Sequence, residues 1–511
     1  MSIIKVYWKE KPLLLILLAA IFFRLIAVIF SKGYGMHDDH FLIIEAAQSW
    51  VDGLDYNNWL PKNNVDGIPE GHSFFYVGIH YILFSIMNFF KIIDPQTKMF
   101  IIRILHAAFS LIVVSLGFKI TRKLSNQDNA KIVGLLLAIL YMMPWLSVRN
   151  LVEIVCIPFL MIGVWMIMNY KEKKVPLLQI LFAGLIMGLA FSTRFQTILF
   201  AFGIGLVFLF EKKWKEAFIF GFGYCLSIGI IQGIPDFLIW GYPFAELTEY
   251  VKYNIDNATN YNTQAWHMYI GLLIGILIPP ISLFIIFGFL RYWKKYLFLV
   301  LPTMLFIIFH SYFPNKQERF ILSILPFLLI IGIIGWNEFV GKSMFWQKNM
   351  KLLKACWIFF WIINLSVLPF ISTMYSKKAY CETMSYLEQY DDSKMILVER
   401  TNHWRVNMLP RFYMNQWVGI YEVNKSNNVD KLQAHINNTQ KQFYPRFFIF
   451  FEEKNLENRV EDMKKVFPNI EYETTIEPGL VDKVLYWMNP VNANETMFIY
   501  RNKDFFPEKK K

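Results

Sequence analysis

Between positions 31 and 42 the sequence reads SKGYGMHDDHFL. Two adjacent acids, Asp38 and Asp39, stand between His37 and His40, directly after an apolar run over 12–30 that is long enough to cross a bilayer. A carboxylate placed there can take the proton from an attacking hydroxyl, while its neighbour orients a substrate or a metal. The same pair also suits the cap of a helix opening at 41, because Asp is a strong N-cap residue. The flanking histidines could join the acids around a divalent ion, although four residues in a row rarely all face one ion.

Further polar groups interrupt the apolar chain downstream. They are Arg103, Arg149, Glu153, the segment STRFQT with Arg194 and Gln196, and the segment FPNKQERFILSILP with Lys316, Glu318 and Arg319. Arginines and a lysine near paired acids suit transfer chemistry on a phosphate-linked substrate, since a guanidinium holds a departing phosphate through paired hydrogen bonds. Simpler readings stand beside this one. Arg149 and Glu153 are four apart and can form an ordinary helix pair. The two short segments can be plain polar turns, and Arg24, inside the first apolar run, can snorkel outward but is expected to line a polar cavity.

What must position these residues is a membrane domain. The chain has 511 residues, of which 55% are hydrophobic, 18% aromatic and only 18% charged, and its mean hydropathy is +0.36. These values fit a polytopic membrane protein and exclude an ordinary soluble one. The net charge of +12 is expected in cytoplasmic loops, with no nucleic-acid partner. Four cysteines show neither a disulfide framework nor zinc spacing.

Apolar stretches lie near 12–30, 73–93, 99–118, 132–148, 152–169, 176–192, 196–210, 217–235, 268–290, 296–313, 320–336 and 355–371. The basic segments KITRKLSNQDNAK, KEKK, EKKWKE, RYWKK and GKSMFWQKNMKLLK fall on one side only if one early stretch does not cross. The stretch 73–93 carries His72, His80 and Asn88 at or near its polar face and, with 41–52, is read as interfacial. The remaining stretches predict about eleven spans, with a large first external loop over 31–98. Under that topology His37, Asp38, Asp39, His40, Arg103, Arg149, Glu153, Arg194, Gln196, Lys316 and Arg319 share the external face. The run 12–30 is read as a retained anchor.

After 371 the composition changes to mixed charge. Strand-like MILVE, VGIYEV and RFFIFF alternate with helix-like NVDKLQAHINN and LENRVEDMKKVF, which predicts a small external α/β domain over 372–511 behind a membrane domain over 1–371. Sequons at Asn257, Asn437 and Asn494 have meaning only once the compartment is known.

These pieces resemble the GT-C class of polytopic glycosyltransferases, and MHDDHFL is similar to the His-Pro-Asp-Glu-x-Phe-Gln signature of glycosyltransferase family 22. Asp38 and Phe41 match that signature and Asp39 replaces its Glu. STRFQT resembles the family's Arg-Phe-Gln segment, and Lys316, Arg319, Phe320 and Pro326 fit its later motif, with Asn315 and Gln317 departing. The resemblance covers about 12–336.

It implies an α-helical membrane fold and an inverting transfer of one sugar, mannose, from a polyprenyl-phosphate donor to a glycan or glycolipid hydroxyl. Asp38 would act as base and Asp39 would support substrate. Arg194, Lys316, Arg319, Arg103 and Arg149 would hold the donor phosphate. His37, His40, Glu153 and Gln196 would contact substrate. No metal is required with a monophosphate donor, and a divalent ion remains compatible. The expected location is a bacterial inner membrane with the active face in the periplasm, or an endoplasmic reticulum membrane in a eukaryote. A transporter or flippase of a lipid-linked glycan, and an oligosaccharide ligase of the same broad fold, are the competing readings. The absence of repeats and the position of the charges at span ends favour the enzyme.

Overall fold

The computed structural model describes residues 3–64, 66–169, 175–390, 394–402, 408–437, 439–489 and 495–504. The basic segment at 171–174 and the sequon at Asn494 lie outside the described residues. The chain divides into two compact units: Met1–Ile29, Asp52–Ile82 and Ile102–Thr373 form one, and Phe30–Val51, Leu83–Ile101 and Met374–Lys511 the other.

The first unit is helical. Among the described residues five helices are long and apolar enough to cross a membrane: Pro12–Phe30, Pro95–Leu124, Trp214–Trp240, Glu318–Val340 and Met350–Ser372. Shorter apolar helices include Val152–Ile167, Leu177–Thr193 and Leu297–Tyr312. Helices in lipid gain no hydrophobic drive from touching each other, so small residues that let backbones approach are decisive. Gly288 and Gly335 do this between Ile281–Arg291 and Leu325–Val340: a Cβ on Gly335 would lie 2.1 Å from the Gly288 carbonyl oxygen.

The stretch 132–148 is not one helix. Gln127–Ile139 ends at Leu140, whose ψ of 131° leaves the helical region, and a short turn Met143–Leu146 containing Pro144 follows. A break inside an apolar domain frees backbone groups that must find partners. The Arg24 guanidinium donates to the Leu137 and Ala138 carbonyls and to Ser110. Asn364 accepts the Tyr141 N–H at 2.7 Å and donates to the Ile139 carbonyl at 2.8 Å. Arg24, expected in a polar cavity, is instead buried as the cap of this broken helix.

The second unit is built on a five-stranded sheet in the order β2-β1-β3-β5-β4. Its strands are β1 (Met395–Glu399), β2 (Gly419–Val423), β3 (Phe447–Phe451), β4 (Ile470–Ile476) and β5 (Met497–Asn502). β1 runs parallel to β2 and β3, with Leu397 level with Tyr421 and with Phe448. β5 runs antiparallel to β3 and β4.

The central strand, FFIFF, is buried throughout, as a strand covered on both faces must be. Phe448 and Phe450 pack with Leu432 and Ile436 of the helix Val429–Asn437 and with Val460 and Met463 of Leu456–Lys464. Phe447 and Phe451 point the other way, to Tyr390 and Tyr380.

The loop 31–51 belongs to this unit and is fastened at its base. Ser31 Oγ donates to the Met374 carbonyl, and Ser376 N donates to the Lys32 carbonyl. Gly33 has φ of +75°, and a Cβ there would sit 1.8 Å from the Ser376 carbonyl oxygen, so this position requires glycine on two counts.

Candidate active site

In the second unit the HDDH stretch forms a short helical turn, His37–His40, that passes into one turn of π-helix, Phe41–Glu45. The two aspartates differ sharply. Asp39 is buried, and its carboxylate accepts the backbone N–H of Met36 at 2.7 Å and of Gly35 at 3.2 Å, closing the start of the turn. Asp38 is only half-buried and lies on the more open side of the turn. The pair is therefore one buried carboxylate that shapes the loop beside one that is partly exposed.

The histidines also part company. His37 is exposed and stacks on Phe41, with ring centroids 4.5 Å apart. His40 is buried between Tyr34 and Tyr413, stacked at 4.7 and 5.4 Å. Its Nε2 faces Glu45 Oε1 at 3.4 Å, and the same Glu45 oxygen accepts the Phe412 N–H at 3.0 Å. Lys98 donates to Gln48 at 2.9 Å, and its ammonium lies over the Phe84 ring.

The first unit gathers a second cluster from helices far apart in sequence. Glu153 opens the helix Val152–Ile167, and Arg194 ends Leu177–Thr193. Arg319 lies in the 3-10 turn Glu318–Ile324. Glu153 Oε1 stands 3.5 Å from Arg194 Nη1 and 3.6 Å from Arg319 Nε, with all three side chains buried.

Arg194 makes further bonds, to Gln196 Oε1 at 3.3 Å, Ser323 Oγ at 3.1 Å and the Phe320 carbonyl at 2.9 Å. Ser323 Oγ in turn donates to the Glu153 carbonyl at 3.0 Å. The other Glu153 oxygen is buried without a hydrogen-bond partner among the described residues.

Other expected residues fall around this cluster. Lys316 points its ammonium at the carbonyls of Phe313 and Gln264, at 2.5 and 3.1 Å, and burial draws it below the usual lysine range. Arg319 Nε also donates to Gln317 Oε1 at 3.0 Å. Gln196 Nε2 donates to the Tyr250 hydroxyl. Arg149 lays its guanidinium 4.7 Å over the Trp145 ring. Arg103 donates to the Val28 carbonyl at 2.8 Å. Among the described residues no group of three or more His, Cys, Asp or Glu side chains is arranged to hold a metal ion.

Some residues of these networks are not apparent from the sequence. Glu246 accepts the N–H groups of Gly71 and His72 at 2.7 and 3.0 Å and that of the Trp240 indole at 2.8 Å. Burial pushes its carboxyl up to about 7. Nothing in the spacing of AELTEY signals that role. Glu45 left a clearer trace, a single acid in the apolar run FLIIEAA, because a fully buried carboxylate is rare unless it is partnered.

Comparison with known proteins decides the family. The family model described as the Alg9-like mannosyltransferase family matches residues 15–412. This chain belongs to the Alg9-like mannosyltransferase family. The matched span of this glycosyltransferase contains both clusters, from Asp38 to Arg319, and reaches Phe412.

No curated protein sequence matches the chain, but solved structures do. The fold is similar to that of ArnT from Cupriavidus metallidurans bound to undecaprenyl phosphate, with a TM-score of 0.62 at 10% identity over 97% of this chain and 99% of that one. It is also similar to an oligosaccharyltransferase from Archaeoglobus fulgidus tethered with an acceptor peptide, with a TM-score of 0.50 at 10% identity over 90% of this chain and 71% of that one. The arabinofuranosyltransferase AftD from Mycobacteria matches with a TM-score of 0.50 at 10% identity, over 96% of this chain but 40% of its own. At such identity the likeness concerns the fold, which is that of a GT-C integral membrane glycosyltransferase with a small C-terminal sheet domain.

Proposed function

We propose that this member of the Alg9-like family transfers a single mannose from a polyprenyl-phosphate donor to a hydroxyl of a glycan or glycolipid at the external face of the membrane, in a bacterium the periplasmic face of the inner membrane. The acceptor oxygen attacks the anomeric carbon, the bond from that carbon to the phosphate oxygen breaks, and polyprenyl phosphate leaves. In-line displacement inverts the centre, so a β-linked donor gives an α-mannoside.

Asp38 takes the acceptor proton as general base. Asp39, bonded to the N–H groups of Gly35 and Met36, keeps that loop in shape. Arg194 and Arg319 receive the negative charge of the leaving phosphate, with Glu153 occupying the anion's place between reactions and Lys316, Arg149 and Arg103 adding positive potential. Cationic side chains can neutralise a monophosphate leaving group, so the chemistry needs no metal.

The observation that carries this reading is the division of labour within the acid pair: one carboxylate is bonded to the backbone and buried, and the next is half-exposed in the family's matched span. The test compares envelope glycans by mass spectrometry from a strain lacking the protein and restored with wild type or Asp38→Asn at equal membrane abundance. Glycans short by one hexose with the variant support the assignment. Full restoration by Asp38→Asn overturns the base. Loss of a whole oligosaccharide in place of one hexose overturns the single-sugar donor in favour of a ligase.

A further inference from the structure

Among the described residues the last helix of the C-terminal domain, Leu480–Met488, is apolar on a face that no other described residue covers. Leu480, Val484, Trp487 and Met488 are 70, 46, 82 and 69% exposed. At about 100° per residue these four project within an arc of about 100°, with Lys483 at its border. The opposite face is well anchored. Asp482 is buried and accepts the Lys378 N–H at 3.3 Å, and the Tyr486 hydroxyl donates to Glu452 at 3.0 Å. The exposed side chains are therefore held outward by a fixed helix and are not a loose end.

The start of the helix is pinned to residues 375–378: Gly479 lies against the Tyr375 carbonyl and Asp482 against Lys378. Those residues follow the membrane-crossing helix Met350–Ser372 after only a few positions. Fully extended, six residues reach about 20 Å, so the first turn of Leu480–Met488 is tethered to the point where the chain leaves the bilayer. A short helix with Trp, Leu and Met on one side, a lysine at the edge and a tether to a spanning helix has the features of an element that lies in the interfacial layer.

We infer that Leu480–Met488 is an interfacial anchor, with Leu480, Val484, Trp487 and Met488 inserted among phospholipid headgroups and upper acyl chains. The C-terminal domain is thereby attached to the bilayer at a second point besides its peptide link. The inference is independent of the reaction proposed above.

The test uses the full-length protein in proteoliposomes of phosphatidylcholine and phosphatidylglycerol, with a photoreactive diazirine amino acid at position 487, at 488, or at the control position 461 on the exposed side of Leu456–Lys464. The inference expects phospholipid adducts at 487 and 488 and none at 461. Absence of lipid adducts at both 487 and 488, equal labelling at 461, or cross-links to a second copy of the chain would each overturn it.

Discussion

His40 and Glu45 are five residues apart and meet at 3.4 Å. In an α-helix, residues five apart point about 140° away from each other, and the single π turn over Phe41–Glu45 is what stacks them. Glu45 also accepts the Phe412 N–H, and His40 packs on Tyr413, so this one turn joins the aspartate loop to a segment of the C-terminal domain. Glu45→Ala is expected to lower stability by about 1–3 kcal/mol, the cost of a buried N–H left without an acceptor, and to reduce transfer. His40→Phe, which keeps the aromatic stack, is expected to retain most of the stability. Thermal unfolding in detergent and transfer rates on the same preparations check both.

The two aspartates are expected to fail in different ways. Asp38→Asn lowers the turnover of the chemical step by about 10²–10⁴ with little change in melting temperature or donor KM. Asp39→Asn weakens the bonds to Gly35 and Met36 and shows as a lower melting temperature with a smaller loss of rate. A variant pair with the opposite pattern assigns the base to Asp39.

Removing a guanidinium from the Glu153 cluster is expected to act on the donor. Arg319→Ala loses charge-assisted bonds worth about 1.5–3 kcal/mol, roughly a tenfold to hundredfold rise in donor KM or an equivalent loss in kcat/KM. Acceptor KM stays within a few fold. Initial-rate kinetics with each substrate varied in turn measure the difference.

Glu246 gives a pH dependence with a definite sign. Its carboxyl ionises near 4.5 in an unfolded chain and is pushed up to about 7 by burial in the fold. Between these values the folded protein binds more protons than the unfolded one, so stability from this group is complete below 4.5, falls as the pH rises and levels off above 7. Glu246→Gln is expected to flatten the melting temperature over that window. A wild-type melting temperature that rises from pH 5 to 7 and is unchanged by the substitution contradicts it.

Gly33→Ala tests the base of the aspartate loop. A methyl group at φ of +75° and 1.8 Å from the Ser376 oxygen displaces the strand-like contact between Gly33 and Ser376. Activity is expected to fall at least tenfold while the membrane helices still insert, measured by transfer assay and by limited proteolysis of the C-terminal domain.

Much of the architecture was legible because hydrophobic pattern is a local signal. MILVE, VGIYEV and RFFIFF became β1, β2 and β3, and the two amphipathic helices after them appear as Val429–Asn437 and Leu456–Lys464. β4, IEYETTI, alternates without an apolar run, and β5, MFIYRN, has an apolar run of only four residues near the end of the sequence.

The broken stretch 132–148 reads as one span because apolar character alone does not reveal that Arg24 and Asn364, more than a hundred positions away, satisfy the freed backbone groups. For the candidate site, residue types are visible in the sequence and contacts are not. Arg194 is visible as a cation between two spans, but its bonds to Ser323 and Phe320 depend on how those spans pack. His40 is a substrate contact only by what the resemblance implies, and it is the fold that places its ring between two tyrosines.

The bond from Phe412 to Glu45 spans 367 residues of sequence, which sets a clock on biogenesis. A ribosome adding about 5–20 residues per second has finished the aspartate loop roughly 20–70 seconds before the segment that braces it emerges. The sheet is completed only when β5, at 497–502, has been made and has joined β3 to β4. Throughout that interval the nascent chain carries Asp38 and Asp39 on a loop without its bond to Phe412, and a product truncated before Phe412 never acquires it. The order of synthesis thus places the bracing of this loop late, after the helices of the first unit have been made.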